Sequence, residues 1–367
     1  MRQSVRHWPA TPLAKRLGLQ WPILLAPMAG TSTPELAAGV AAAGGLGSLG
    51  CATQPVDVSH RQIAAFRQIS NGGLNVNFFC HERPADIVAR SQAARERLAP
   101  FYAEAGIGTP PEAAEPFVPF GADHLALVEE FRPDVVSFHF GLPAQDLLNR
   151  VRATGATIFC TATTVAEARH LEGQGVDAIV AQGIEAGGHR GVFLDTPLSQ
   201  HSGLMALLPQ IVDAVDVPVI AAGGIADGRG IAAAMMLGAQ AVQIGTAFLR
   251  CPEAATPAPH RDRLRDAGEG ATRLTRLFSG RPARSVVNRL MRELDDSEAE
   301  AAPYPAQISL VAPLAKAVAE ADRPDVSSIW AGQAVGLGRD MPAAQLTERL
   351  AAEADTLMRP ANTETDR

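Results

Sequence analysis

One glycine-rich segment concentrates polar side chains that could carry out chemistry. It is AQGIEAGGHRG, residues 181–191. His189 has an ordinary pKa of about 6.5, so its imidazole can take up or return a proton at neutral pH. Gly187 and Gly188 let the main chain approach a flat ligand, and Gln182 can offer an amide to a ring edge. The pattern favours a catalytic His189 over one that only bonds a loop carbonyl, because so open a loop has little structural need of an imidazole.

Two further glycine segments are typical of phosphate binding. They are VIAAGGIADGRG, residues 219–230, and VQIGTAF, residues 242–248. Glycines just past two strand ends leave backbone N–H groups uncovered beside helix N-termini, which binds a phosphate without a cationic side chain. In barrels this is the usual phosphate site. We therefore expect a phosphate at Gly223, Gly224 and Gly245, the alternative being that they form tight turns only.

Three other segments are predicted to end at the same rim. Alternation puts Ser137 and His139 on one face of a strand, where His139 can orient an anionic substrate, or can be a core residue if it faces the helices. Asn77 ends the preceding strand, and its amide matches the edge of a heteroaromatic ring. Pro27 has no N–H and must stop the first strand, so the backbone of residues 26–30 either lines a ligand or forms a packed first turn.

The segment GLGSLG, residues 45–50, matches the dinucleotide-binding pattern GxGxxG. It lies within a predicted strand, however, and is followed by Thr53-Gln-Pro rather than by a helix. It also lacks an acidic residue at the distance that ribose binding requires. We interpret Gly47 and Gly50 as positions that leave room for close packing at the barrel mouth.

Short apolar runs alternate with alanine-rich segments of helical length, which indicates a parallel sheet wrapped by helices. Eight such runs predict a closed (β/α)₈ TIM barrel, because closure removes both sheet edges. The predicted strands are Pro22 to Ala26, Gly45 to Leu49, Leu74 to Phe79, Val135 to Phe140, Thr157 to Thr161, Ala178 to Ala181, Val217 to Ala221 and Ala241 to Ile244.

Two long connections predict a smaller, mainly helical second domain formed by insertions. Each leaves the barrel at the carboxyl end of a strand, where barrel active sites are built, so together they can act as a lid. The predicted units are 1–80 (barrel, first part), 81–122 (helical insertion), 123–251 (barrel, second part, with the phosphate site), 252–325 (lid-like helical segment) and 326–367 (closing helix and frayed tail).

Composition narrows the class of partner. The 367 residues are 47 % hydrophobic and 5 % aromatic, with a net charge of −7, which excludes extensive disorder and argues against nucleic acid or a membrane surface as partner. The four cysteines form no CxxC pair and no HExxH segment occurs, so we expect reduced thiols and no metal. Without a long apolar run we expect a cytoplasmic location. A homodimer is left open.

Taken together, the motifs resemble the nitronate monooxygenase family. The resemblance covers most of the chain, and the Gly-Gly-His loop with its two glycine turns carries it most strongly. The matching segments are APMA (26–29), GGLG (44–47), NVNF (75–78), HFG (139–141), QGIEAGGHRG (182–191), AGGI (222–225), QIGTAF (243–248) and WAGQ (330–333).

The resemblance implies an FMN-containing barrel that oxidises alkyl nitronates with O₂, giving a carbonyl compound and nitrite without NAD(P)H. His189 would be the catalytic histidine, and His139 a substrate ligand. His189 could also deprotonate a neutral nitroalkane. The residues expected to contact FMN are Ala26, Pro27, Met28, Ala29, Asn77, Gln182, Gly187, Gly188, Gly223, Gly224, Gln243, Ile244, Gly245 and Thr246.

Three alternatives stay open. The flavin enoyl-ACP reductase shares the Gly-Gly-His loop but uses NAD(P)H, and it resembles this chain less around His139-Phe-Gly. An NADH:quinone reductase and a non-catalytic flavin- or phosphate-binding protein are the others. Some family members carry Tyr and Lys before the WAGQ segment, where this chain has DVSSI (325–329), so substrate contacts from such tyrosines do not transfer.

Overall fold

Eight parallel strands form a barrel, which confirms the predicted fold class. The structure is a computed structural model that describes residues 8, 10–294, 300–320 and 324–359. The strand order is β1-β9-β8-β6-β5-β4-β3-β2, and a bridge between Leu24 and Leu46 brings the two ends together. The strands are β1 (Ile23–Leu25), β2 (Gly47–Gly50), β3 (Leu74–Phe79), β4 (Val135–His139), β5 (Thr157–Ala162), β6 (Ala178–Gln182), β8 (Val219–Ala222) and β9 (Ala241–Ile244), with β7 (Gly188–His189) in a separate sheet.

Helices follow the barrel strands and cover them. Several begin with a capping side chain that accepts a backbone N–H, such as Thr33 before α2 and Asp227 before α10. The helices are α1 (Pro12–Arg16), α2 (Pro34–Ala42), α3 (Val56–Ile69), α4 (Ile87–Arg90), α5 (Gln92–Ala105), α6 (Ala122–Phe131), α7 (Gln145–Ala153), α8 (Val165–Gly173), α9 (Leu204–Val212), α10 (Gly228–Met236), α11 (Ala258–Asp266), α12 (Arg289–Glu293), α13 (Ala306–Glu320) and α14 (Ala343–Leu357).

Alternation along each strand sorts its side chains into two cores. On β4, Val136 and Phe138 belong to the large cluster between barrel and helices, whereas Val135 belongs to the smaller cluster with Phe159 and Ile220. Side chains two residues apart share a face, so Ser137 and His139 lie on the same face as Val135. His139 therefore faces the barrel interior and not the helix layer.

The two insertions pack against each other on one hydrophobic core. Helix α5, from the first, contacts α13, from the second, and Tyr102 donates its O–H to the carbonyl of Leu310 at 2.7 Å. Leu98, Phe101 and Leu314 are buried in the same cluster. Where one unit ends and the next begins stays a prediction, and residues 360–367 of the expected frayed tail lie outside the described residues.

The segment 252–325 differs from the expected run of helices. It contains two antiparallel strands, β10 (Thr272–Thr275) and β11 (Ala283–Val286), and β11 also pairs with β7 of the barrel loop. All four β11 residues are buried. Pairing on both sides favours a strand at 283–286, because strand formation depends on packing context more than on local pattern.

Gly50 tests how closely the rim loop is packed. An added Cβ would lie 2.6 Å from the backbone N of Ala29, so Gly50→Ala should lower the free energy of unfolding by about 1–3 kcal/mol. The matched control is Gly173→Ala in α8, where an added Cβ would meet nothing within 4 Å. This substitution should raise the free energy of unfolding by about 0.5–1 kcal/mol. Urea denaturation measures both, and equal effects would contradict this packing.

Candidate functional site

Two glycine turns lie side by side at the carboxyl ends of the strands. Strand β8 leads into Gly223 and Gly224, with φ of 107° and 69°, and its neighbour β9 leads into Gly245 and Thr246. All four turn residues are partly or fully exposed. The backbone N–H groups of Gly224, Gly245 and Thr246 donate to no other group in the described part of the chain. These turns can therefore present several N–H donors to one anion.

The loop after β1 lines the same rim. Residues 26–29 stay partly exposed, although the turn is tight, since Ser32 Oγ accepts from Met28 N at 2.9 Å. Gly245 faces this loop, and a Cβ there would lie 3.2 Å from Ala26 Cβ and 3.6 Å from Met28 Sδ. The loop is both a packed turn and an accessible surface. Glycine at 245 therefore leaves the space beside this loop free.

Asn77 and Gln182 are largely engaged within the protein. Asn77, at 5 % exposure, donates from Nδ2 to both the carbonyl and Oγ of Ser137, at 3.1 and 2.9 Å. Gln182 donates from Nε2 to the carbonyl of His189 and accepts from Gly191 N, both at 2.9 Å. The Gln182 amide thus fastens the two ends of the histidine loop together. One Nε2 hydrogen remains for a ligand.

Arg190 is fully buried and holds the same loop through its main-chain carbonyls. Its Nη1 donates to the carbonyls of Gln182 and Gly183, at 2.9 and 2.6 Å, and its Nη2 lies 3.1 Å from Nδ1 of His201. Burial lowers its pKa to about 10, against the opposing influence of the carboxylates of Glu167 and Glu185. Arg190 is therefore a structural clamp and is not directed at a substrate.

His189 is held in a strand, which the sequence analysis missed. Gly188 pairs with Arg284 and His189 with Ala283, so β11 fixes the histidine backbone. Gly187 is also needed, because a Cβ there would lie 2.5 Å from the backbone N of Gly332. Residues 283–286, ARSV, carry no alternating pattern, and nothing local shows which segment they pair with.

His139 supports His189 from the barrel interior. Its Nδ1 lies 3.0 Å from Oγ1 of Thr161 and its Nε2 3.2 Å from the carbonyl of His189. A carbonyl only accepts, so Nε2 carries the proton and Nδ1 accepts from the Thr161 hydroxyl. Burial lowers the pKa of His139 to about 4, against the hydrogen bond to His189. Its role as a substrate ligand stays a prediction, since both of its nitrogens already have partners.

The His189 imidazole lies within a group of aromatic rings. Its centroid is 5.4 Å from that of Trp330, 5.6 Å from Tyr304 and 5.9 Å from Phe140. Its Nε2 is buried and has no hydrogen-bond partner among the described residues. Burial, with smaller repulsion from His139 and Arg281, lowers the pKa of His189 to about 3. The imidazole is therefore neutral at neutral pH, and one nitrogen is available to a ligand.

The described residues also bear on metal sites, disulfide bonds and membrane-spanning helices. Across residues 8, 10–294, 300–320 and 324–359, no cluster of three or more His, Cys, Asp or Glu side chains is placed to hold a metal. The four cysteines are unpaired. Among the described helices, none combines the length and apolar character needed to cross a membrane.

The lowered histidine pKa values make stability depend on pH. His139 and His189 take up a proton at about pH 6.5 when unfolded, but only near pH 4 and pH 3 when folded. The unfolded state binds more protons between these limits, so the free energy of unfolding falls as pH is lowered from 6.5 toward 4, by up to about 1.4 kcal/mol per pH unit for each histidine. His139→Asn should flatten this decline in urea titrations at pH 6.5, 6 and 5. Parallel curves for the two proteins would contradict the burial of a neutral His139.

Several known proteins are similar to this chain over nearly its whole length. A family model described as nitronate monooxygenase matches residues 10–353. A nitronate monooxygenase from Pseudomonas aeruginosa is 41 % identical over 343 residues, covering 92 % of this chain and 97 % of that protein. The crystal structure of a nitroalkane oxidase from Streptomyces ansochromogenes is 40 % identical with a TM-score of 0.85, covering 94 % of this chain and 98 % of that one. FabK from Thermotoga maritima is 28 % identical with a TM-score of 0.74, covering 95 % and 97 %.

Proposed function

This chain belongs to the nitronate monooxygenase family, and we propose that it uses FMN and O₂ to convert alkyl nitronates and nitroalkanes into carbonyl compounds and nitrite. The observation that carries the proposal is a neutral imidazole whose Nε2 is buried and has no hydrogen-bond partner within the described part of the chain, at the same barrel rim as two glycine turns. A proton acceptor and an anion cradle at one rim fit a substrate that loses a proton and a cofactor that carries a phosphate.

The residues at the rim fit FMN. The N–H groups of Gly224, Gly245 and Thr246 would hold its phosphate, and the exposed backbone of residues 26–29 would lie along its ring. Glu185 lies close to Gly224, but its carboxylate accepts from Leu204 N at 2.7 and 3.0 Å, at the start of α9. These hydrogen bonds engage the Glu185 carboxylate at the start of α9 rather than at the Gly224 turn. FMN, when bound, supplies the redox chemistry that the side chains lack.

His189 has a different task for each substrate form. A neutral nitroalkane must lose its α-proton, and the neutral imidazole of His189 can accept it at neutral pH through Nε2 when the ring proton is on Nδ1. The buried site disfavours the resulting imidazolium, so the transfer depends on the negative charge that develops on the nitro oxygens. A nitronate has already lost that proton, and for it His189 only orients the substrate.

The NAD(P)H-dependent reductase stays the second candidate. FabK from Thermotoga maritima matches nearly the whole chain, and the Gly-Gly-His loop is compatible with a flavin reductase as well. Mixing the purified protein with NADH in the absence of O₂ separates the two functions. Slow bleaching of the flavin absorbance supports the nitronate enzyme, and rapid bleaching supports the reductase.

His189→Ala tests the proposed function through its two substrate forms. We expect kcat/KM for nitroethane to fall by about 10²–10⁴-fold, as for loss of a general base, whereas kcat/KM for ethyl nitronate falls by less than about tenfold. FMN content should not change. The measurement is nitrite release, with the exposed His60→Ala on α3 as the matched control. Equal losses for both substrates would remove His189 as the base, and no nitrite from the wild type would reject the function.

A further inference from the structure

Two buried polar side chains near His189 have no partner of their own. His81 is 3 % exposed and Tyr304 is 6 % exposed. Neither nitrogen of His81 nor the hydroxyl of Tyr304 makes a hydrogen bond within the described part of the chain. The Tyr304 ring lies 4.9 Å from that of His81 and 5.6 Å from that of His189. Buried polar groups are rarely left unpaired in folded proteins, so these unused groups point to a ligand.

Arg281 adds a positive charge to this group. Its guanidinium lies 4.4 Å from the centre of the Phe140 ring and 5.6 Å from that of Tyr304. The hydrogen bond found for it runs from Nη1 to the carbonyl of Val192, at 2.8 Å, and it forms no ion pair with any described carboxylate. Burial is the main cause of its lowered pKa, and the carboxylates of Glu82 and Glu167 oppose this from beyond contact distance.

A neighbouring arginine is bonded more completely. Arg284, on β11, donates to the carbonyl of Ile184 through both Nε and Nη2, at 3.0 and 2.9 Å, and through Nη1 to Thr272. Its three nitrogens are all engaged. Nε and Nη2 of Arg281 donate to no group within the described part of the chain. Arg281 is only partly buried, and neither nitrogen is among the buried unpartnered atoms, so both can reach solvent or an anionic ligand that would accept from them.

We propose that Arg281, Tyr304 and His81 together form an oxyanion site that binds the nitro oxygens of the anionic substrate next to His189. The identity of that anion as a nitronate rests on the proposed function. The Arg281 guanidinium, the Tyr304 hydroxyl and a neutral His81 N–H all donate, so a ligand that only accepts complements them. Arg281 then gives the enzyme its preference for an anionic nitronate over a neutral nitroalkane.

The chemistry of these donors also separates the site from the phosphate turns. Those turns offer backbone N–H groups, whereas this site offers one guanidinium, one hydroxyl and one imidazole. A guanidinium binds two oxygens of a planar group through a fork of parallel N–H donors. A small trigonal oxyanion such as nitrate is therefore a suitable unreactive probe.

The test is calorimetric titration of the purified flavin-containing protein with nitrate, alongside the KM and kcat for propyl-1-nitronate. Arg281→Met should raise the nitrate Kd and the nitronate KM by about tenfold or more, as expected for loss of a charge-assisted hydrogen bond, with a smaller change in kcat. Arg281→Lys should recover part of both. The control Arg276→Met removes the same charge from an exposed position in the same connection and should leave both constants within about twofold.

Tyr304→Phe keeps the test decisive if Arg281→Met fails to fold, because it deletes only a hydroxyl that has no protein partner among the described residues. It should raise the nitrate Kd by about threefold or more. The site is overturned if nitrate does not bind the wild type, or if Arg281→Met and Tyr304→Phe both leave its Kd unchanged. If nitrate binding depends on Arg281 but no nitronate is oxidised, the oxyanion site stands and the proposed function fails.

Discussion

The position of the His189 imidazole depends on hydrogen bonds that hold the main chain of its loop. Gln182, at the end of β6, bonds the carbonyl of His189 and the N–H of Gly191, so it closes the loop that carries the histidine. Arg190 and His139 bind the same loop from two other directions. Because these bonds engage main-chain atoms, the imidazole of His189 is held by its backbone, and its Nε2 stays available. Burial then lowers the pKa of the His189 imidazole, because the charged form is poorly solvated away from water. The neutral form is therefore favoured.

The barrel and the inserted domain contribute different chemistry to the site. The barrel strands end in turns that offer backbone N–H groups and an accessible loop at residues 26–29. The inserted domain supplies Tyr304 and Arg281, and its strand β11 fixes the backbone of His189. This follows from the fold, because the insertions leave the barrel at the carboxyl ends of its strands and lie next to the turns found there. Changes in the inserted segments can therefore alter Tyr304 and Arg281 while the two glycine turns of the barrel stay the same.

The local sequence pattern was sufficient to predict the barrel strands but not the pairing of the inserted segments. Apolar runs bounded by glycine and proline predicted all eight barrel strands, and the glycines after β8 and β9 predicted the two turns. The pairing of β11 with β7 could not be predicted in this way, because it joins segments almost a hundred residues apart, His189 and Ala283. Tyr304 and Arg281 were missed for the same reason. Neither lies in a motif, and only the folded chain brings them to Phe140 and His189.

The central claim is that one rim holds both a flavin phosphate and the reactive imidazole. A crystal structure of the protein saturated with FMN tests this most directly. We predict phosphate density between the turns at Gly223–Gly224 and Gly245–Thr246, with the flavin ring along residues 26–29 and facing His189. Flavin bound elsewhere, or a mouth in which no flavin is found at saturating FMN, would contradict the account.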